Sequence, residues 1–167
     1  MTREHRPVAP PAGPFVGIDY GLRRIGLALA ASDGRFPVPA TTLDATGQAA
    51  RDAAAVLEWA TERAPRTYVV GLPINMDGSE GPQARVTRAF ADALAAHSGA
   101  DVRLWDERLS SFQADQWLAE APAAPRTRGK RAARHDPRRD ALAALAILRA
   151  FLAAHGLPPA DDASPGD

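Results

Sequence analysis

The chain has 167 residues, a length that suits one domain of ordinary size. Its 46% hydrophobic and 24% charged residues lie near the globular average, and 20 basic side chains balance 20 acidic ones, which excludes a uniformly basic polymer binder. Cysteine is absent, which excludes a disulfide framework, a thiolate zinc site, an iron–sulfur cluster and a cysteine nucleophile.

Residues 1–14 carry four prolines and no periodic apolar pattern, so a disordered N-terminal tail is expected there. This stretch has no apolar core of the kind that directs export, and no run elsewhere approaches the roughly 20 apolar residues that cross a bilayer. A cytoplasmic protein without a membrane partner is expected. Residues 157–167 repeat the tail character with three prolines and three aspartates. The folded domain is therefore expected over 15–156.

Residues 15–20 read as a buried strand, 21–24 as a turn and 25–31 as a second strand, a hairpin start. Residues 38–43 form a third strand, weakened by Pro37 and Pro39. Over 48–64 the spacing turns helical, with Ala49, Ala53, Val56, Leu57 and Ala60 on one face and Arg51, Asp52, Glu58 and Glu62 mostly elsewhere. A strand follows over 67–72, a helix over 82–97 with Pro82 in its first turn, and a strand over 101–105. Ser110 and Gln113 have capping-box spacing at the head of a helix to about 121. A loop over 121–135 precedes Asp136-Pro137, a good helix start, and Gly156 ends that last helix. The order βββ-α-β-α-β-α-α predicts an α/β fold with a mixed sheet and helices on its faces.

Three acidic positions stand out. Asp19 lies near the end of the first strand, where it serves either as a turn residue or as a site carboxylate. Asp106 and Glu107 follow the fifth strand, where alternation sends one toward a site and the other away. Asp140 heads an apolar face, with Ala143, Ala144, Ile147, Leu148 and Phe151 at helical offsets behind it. Helix-dipole charge, or pairing with Arg138 or Arg139, explains it equally well. Three converging carboxylates repel one another, and Mg²⁺ or Mn²⁺ relieves that repulsion because hard cations prefer carboxylate oxygen. Two such ions about 4 Å apart can clamp a phosphodiester and activate a water.

Arg126, Arg128, Lys130, Arg131, Arg134, Arg138 and Arg139 crowd into positions 126–139 just before Asp140, with Asp136 the only acid among them. Such a run grips nucleic-acid backbone in a salt-dependent way, or is simply a solvated loop. The segment from Gly71 to Pro82 follows a strand and enters a helix but lacks the Gly-Lys-Ser/Thr ending of a Walker loop. Asn75 or Ser79 is placed to touch a phosphate; a structural turn capped by Ser79 or Gly81 is the plain alternative. His5, His97, His135 and His155 show no ligand spacing, and Trp59, Trp105 and Trp117 read as packing residues rather than base-stacking platforms.

Four blocks in order then carry a resemblance: Ile18-Asp19-Tyr20-Gly21 with Arg24-Ile25-Gly26-Leu27-Ala28; Val70-Gly71-Leu72-Pro73 through Asp77-Gly78-Ser79-Glu80; Asp106-Glu107-Arg108-Leu109-Ser110-Ser111; and Asp140-Ala141-Leu142-Ala143-Ala144 through Ile147-Leu148. Together they resemble the YqgF/RuvX family, whose members are described as pre-16S rRNA nucleases and, earlier, as Holliday junction resolvases. The resemblance implies an RNase H-like fold: a five-stranded mixed sheet, first three strands antiparallel, flanked by helices. It implies a nuclease with Mg²⁺ or Mn²⁺ held by Asp19, Glu107 and Asp140, Glu107 being favoured over Asp106. Candidate nucleic-acid contacts are Arg24, Asn75, Arg126, Arg128, Lys130, Arg131, Arg134 and Arg139. The expected partner is structured RNA, the 5′ end of pre-16S rRNA, with branched DNA as the alternative, and the chain a monomer or homodimer. A non-catalytic RNA-binding assembly factor and a sugar-kinase-like ATPase are the rivals from other classes. Ser110 and Ser111 stand where the family commonly has threonines, and Arg139 where it is usually apolar.

Overall fold

The computed structural model describes residues 9–109 and 137–157. Five strands alternate with helices: β1 (Phe15–Tyr20), β2 (Arg24–Ala30), β3 (Val38–Asp44), α1 (Ala49–Ala60), β4 (Thr67–Leu72), α2 (Pro82–Ser98), β5 (Asp101–Asp106) and α3 (Pro137–Ala154). The sheet order is β3-β2-β1-β4-β5. The β3–β2 and β2–β1 pairs are antiparallel, while β1–β4 and β4–β5 are parallel. The expected five-stranded mixed sheet with an antiparallel start is what forms. The helix expected over 110–121 and the loop over 121–135 lie outside the described residues. Among those described, no helix is long and apolar enough to cross a membrane.

Alternation along each strand divides the core in two. Val16, Ile18, Tyr20, Ile25, Leu27, Tyr68 and Val70 face α1 and α2, meeting Val56, Phe90 and Leu94. Phe15, Ala28, Ala30 and Val69 face α3, meeting Ala144, Ile147, Leu148, Phe151 and Leu152. The central strands are covered on both sides, which is why β1 and β4 read as nearly unbroken apolar runs. The buried stripe of α3 runs through Ala141, Ala144, Ile147, Leu148 and Phe151, while Ala143 is only half-buried.

Pro39 does not prevent β3 from forming. The strand lies at the sheet edge, and the register shifts between Leu27 and Ala28 so that Leu27 pairs with Thr41 and Ala28 with Pro39. An edge and an irregularity are the two places where a strand tolerates proline. The first helix is shorter than its spacing predicts: α1 ends at Ala60, a 3-10 turn covers Thr61–Arg63, and Ala64 is left-handed at φ 43°.

Asp52 departs from the expected polar face of α1. It is buried, at 1% exposure. Its carboxylate accepts hydrogen bonds from Tyr20 OH at 2.6 Å, Thr46 N and Oγ1 at 2.7 Å each, and Gly47 N at 3.2 Å. Burial alone pushes a carboxyl up, but these four bonds outweigh it and hold Asp52 below the ordinary aspartate value. The tyrosine ring itself stacks on Phe90, centroids 4.2 Å apart.

The N-terminal tail was expected over 1–14. Residues 1–8 lie outside the described residues; within 9–14, Ala12 O accepts from Thr67 Oγ1 at 2.7 Å, Pro14 O from Arg66 N at 2.9 Å and Ala9 O from Arg103 Nη2 at 2.8 Å. Trp105 packs edge-on against Phe151, and Trp59 carries the Arg63 guanidinium 4.1 Å over its ring. His97 and His155 place Nδ1 against the carbonyls of Ala93 and Phe151 in the last turns of their helices.

Candidate active site

Four elements converge at one end of the sheet, on the face that α3 covers. Asp19 is the fifth residue of β1 and shares the α3 side with Phe15 and Gly17. Gly26 of β2 pairs with Asp19 across the antiparallel ladder. A Cβ on Gly26 would sit 1.9 Å from the carbonyl oxygen of Asp140 and 2.2 Å from its carbonyl carbon. No side chain fits there, so the first turn of α3 rests directly on the β2 backbone and delivers Asp140 beside Asp19. This close approach is the reason for a glycine inside a strand.

Glu107 arrives from the other side. Its amide donates to Leu72 O at 3.2 Å, extending the β4–β5 pairing by one residue. The pleat places Trp105 and Glu107 on the α3 face and turns Asp106 the other way. There Arg108 grips Asp106, with Nε 3.1 Å from both carboxylate oxygens and Nη2 2.7 Å from Oδ2. Hydrogen bonding by Arg108 holds Asp106 below the ordinary aspartate range. Gly71 supplies the space: a Cβ there would lie 2.7 Å from Glu107 Oε1 and 2.4 Å from Ile147 Cδ1. The close approach that Gly71 permits is thus to Glu107 and α3.

Asp19, Glu107 and Asp140 line one open cavity of about 640 Å³, walled also by Arg24, Pro73 and Gln83. Burial, and then the charge of Asp140, raise Asp19 to about 6. Burial, then Asp19 and Asp106, raise Glu107 to about 7. Both shifts have the sign expected of carboxylates partly removed from water beside other acids. Arg24, the first residue of β2, places Nε 2.9 Å from Asp140 Oδ2. That oxygen is buried and accepts no hydrogen bond, so the contact is coulombic rather than aligned.

The remaining candidates fall elsewhere. Asn75 is exposed on the loop after β4, where its Nδ2 donates to Ser79 Oγ at 3.0 Å and its amide to Ser79 O at 2.9 Å. Asp77 Oδ1 accepts from Ser79 N at 2.9 Å. The loop is a self-bonded turn, and Gly81 caps α2 without a side chain. Arg139 and Arg138 are exposed on the first turn of α3. Arg126, Arg128, Lys130, Arg131 and Arg134 lie outside the described residues.

Gly26 and Gln83 are parts of the site that the chemical reading of the sequence passes over. Glycine in mid-strand is itself a sign of close backbone approach and was available. Gln83, whose Nε2 donates to Tyr20 O at 3.1 Å, has no local signal, because only the packing of α2 brings it to the end of β1.

The chemistry of the donors suits a hard divalent ion: three carboxylates, two of them raised by burial and mutual repulsion, and one buried oxygen without a hydrogen bond. Among the described residues no group of three or more such side chains is placed, as it stands, to hold a metal ion. The family model described as "RuvX: Holliday junction resolvase" matches residues 13–154. The chain belongs to the RuvX family. It is 42% identical over 152 residues to a protein of Myxococcus xanthus named "Putative pre-16S rRNA nuclease", covering 91% of this chain and 95% of that one. A protein of Anaeromyxobacter dehalogenans with the same name is 44% identical over 137 residues, 82% of this chain and 94% of the relative. In structure, this RuvX chain is similar to Thermus thermophilus RuvC, with TM-score 0.53 and 19% identity over 86% of this chain and 96% of that one. It is also similar to the yeast mitochondrial Holliday junction resolvase Ydc2, with TM-score 0.55 and 11% identity over 90% and 82%. These likenesses establish the RNase H-like fold.

Proposed function

We propose that this RuvX protein is a nuclease that hydrolyses phosphodiester bonds of structured RNA, with the 5′ end of pre-16S rRNA as its substrate. The observation that carries the reading is that acids from β1, from the end of β5 and from α3 share one open cavity. The names of the relatives in Myxococcus and Anaeromyxobacter support the substrate class. Asp19, Glu107 and Asp140 would hold Mg²⁺ or Mn²⁺. A bound dication supplies Lewis-acid polarisation of the phosphate and neutralises developing charge.

The chain's own residues do the rest. The cavity is open to water. Arg23 and Arg24 border it, giving a positive edge to an acidic floor, while Arg138 lines a separate cavity with residues of β3. Contacts of this kind hold backbone without reading sequence. The basic residues Arg126, Arg128, Lys130, Arg131 and Arg134 would add positive charge for backbone contact.

The family model's description favours a second reading, cleavage of four-way DNA junctions. That reaction needs two active sites and hence a symmetric dimer. One assay separates the two: purified protein with Mn²⁺ or Mg²⁺ is offered precursor rRNA and a four-way junction, alongside Asp19→Asn. Cleavage of the RNA that disappears in the variant is the expected result. Junction cleavage by a sedimenting dimer favours the second reading, and RNA binding without cleavage under any divalent ion favours a non-catalytic assembly factor.

A further inference from the structure

Asp140 already has a cation beside it. Arg24 Nε stands 2.9 Å from Oδ2, and the two side chains are 28% and 29% exposed. The guanidinium is not seated on the carboxylate as a fork: the oxygen it approaches accepts no hydrogen bond. Held by charge without hydrogen-bond alignment, the contact is weaker than a forked pair and can yield to a stronger cation. Its position is also specific. Arg24 opens β2, two residues before Gly26, and Gly26 is the point at which α3 touches the sheet. The same contact that delivers Asp140 to the cavity therefore delivers it to Arg24. Arg23, next in sequence and on the same cavity wall, is exposed and makes no such pair among the described ion pairs.

We propose that Arg24 competes with the divalent ion for Asp140. Without an ion the guanidinium neutralises the carboxylate. When an ion binds, Arg24 leaves Oδ2 and turns to the cavity mouth, where a phosphate oxygen can take it. Ion binding and phosphate binding then favour each other, because each removes what the other must displace. The inference rests on the metal-site reading given above.

The test uses Mn²⁺ alone as the probe, followed by calorimetry or by the resonance of free Mn²⁺, on the full chain, Arg24→Gln and Arg23→Gln. Arg24→Gln should bind Mn²⁺ about two- to five-fold more tightly than the parent, the range expected for loss of a partly exposed competing pair. Arg23→Gln removes the same charge from the same wall and should stay near the parent value. Equal affinity in the parent and Arg24→Gln, or equal tightening in both variants, overturns the competition. Failure of the parent and Arg24→Gln alike to bind Mn²⁺ overturns the metal-site reading instead, and the competition with it. The second measurement needs no folded variant: the Arg24 Nε–Hε resonance of the parent protein should shift on saturation with Mg²⁺, and an unmoved resonance in ion-bound protein overturns the proposal.

Discussion

Asp19 and Asp52 are two carboxylates on opposite faces of the sheet, the first within β1 and the second bonded to its next residue, Tyr20. Asp52 is buried under Tyr20 and accepts four hydrogen bonds, and its pKa falls. Asp19 projects into a cavity whose other acids repel it, and its pKa rises to about 6. Water is removed from Asp52 almost entirely and from Asp19 in part. One is compensated by donors from the chain, and the other is left to be compensated by something from outside. A buried charge with its partners supplied is structural; a buried charge without them is costly unless a ligand completes it. The difference supports the proposed division of roles, with Asp52 in the architecture and Asp19 in the chemistry.

The largest expected effect tests the chemical side. Asp19→Asn or Glu107→Gln should reduce cleavage at least ~10²-fold while the melting temperature in the absence of divalent ions stays level or rises. A variant that loses activity only by unfolding would move Asp19 into the structural class with Asp52. Next, Asp52→Ala should destabilise the fold by about 2–4 kcal/mol in urea, because it strands the Tyr20 hydroxyl and the donors of Thr46 and Gly47. A change within 0.5 kcal/mol, the ordinary range for roughly neutral surface substitutions, would erase the comparison.

Gly26→Ala sits between the two classes. Its Cβ has no room against the Asp140 carbonyl, so α3 must shift, at about 1–3 kcal/mol. Cleavage should fall with it, because Asp140 moves as well. Full activity in a destabilised Gly26→Ala would show that the seat of α3 matters to the fold alone.

The last effect is in pH. Asp19 and Glu107 have folded pKa values raised to about 6 and 7, above their ordinary values of 3.8 and 4.5. The native state therefore holds more protons than the unfolded chain between about pH 4 and 7, and stability without divalent ions should decline as pH rises across that window. Asp52 has the opposite sign: its folded value is depressed, so its contribution is present above the unfolded value and is lost as pH falls through the folded one. Denaturation series should find the first slope reduced in Asp19→Asn and the second reduced in Asp52→Ala. Identical profiles in all three proteins would contradict the assignment of the shifts.

Much of the frame was readable in the residues. The limits of β1 and β4 follow from short apolar runs bounded by Gly21 and Pro73, and α3 from Asp136-Pro137 and Gly156. The separation of Glu107 from Asp106 is a matter of strand alternation, which is local. At Asp52 the pattern fails for the same reason that it succeeds elsewhere. Helical spacing assigns a charged residue to the outside, and nothing nearby announces that Tyr20 will reach over from another strand. Around Asn75 the Gly-rich stretch before a helix is compatible with both a phosphate cradle and a structural turn, and the bonds that Ser79 makes with Asn75 and Asp77 show that the turn forms.

By itself the sequence determined where chain segments become strands and helices, which side chains share a face, and that acids end two strands and begin one helix. These are consequences of periods of two and 3.6 residues, short enough to be carried by neighbours in the chain. Only the tertiary structure decided how deep Asp140 sits, that Arg24 stands against it, and that Asp52 rather than Asp19 is fully bonded. Those outcomes depend on which segments pack together, and packing is settled by shape and by charge between residues that the chain does not hold close.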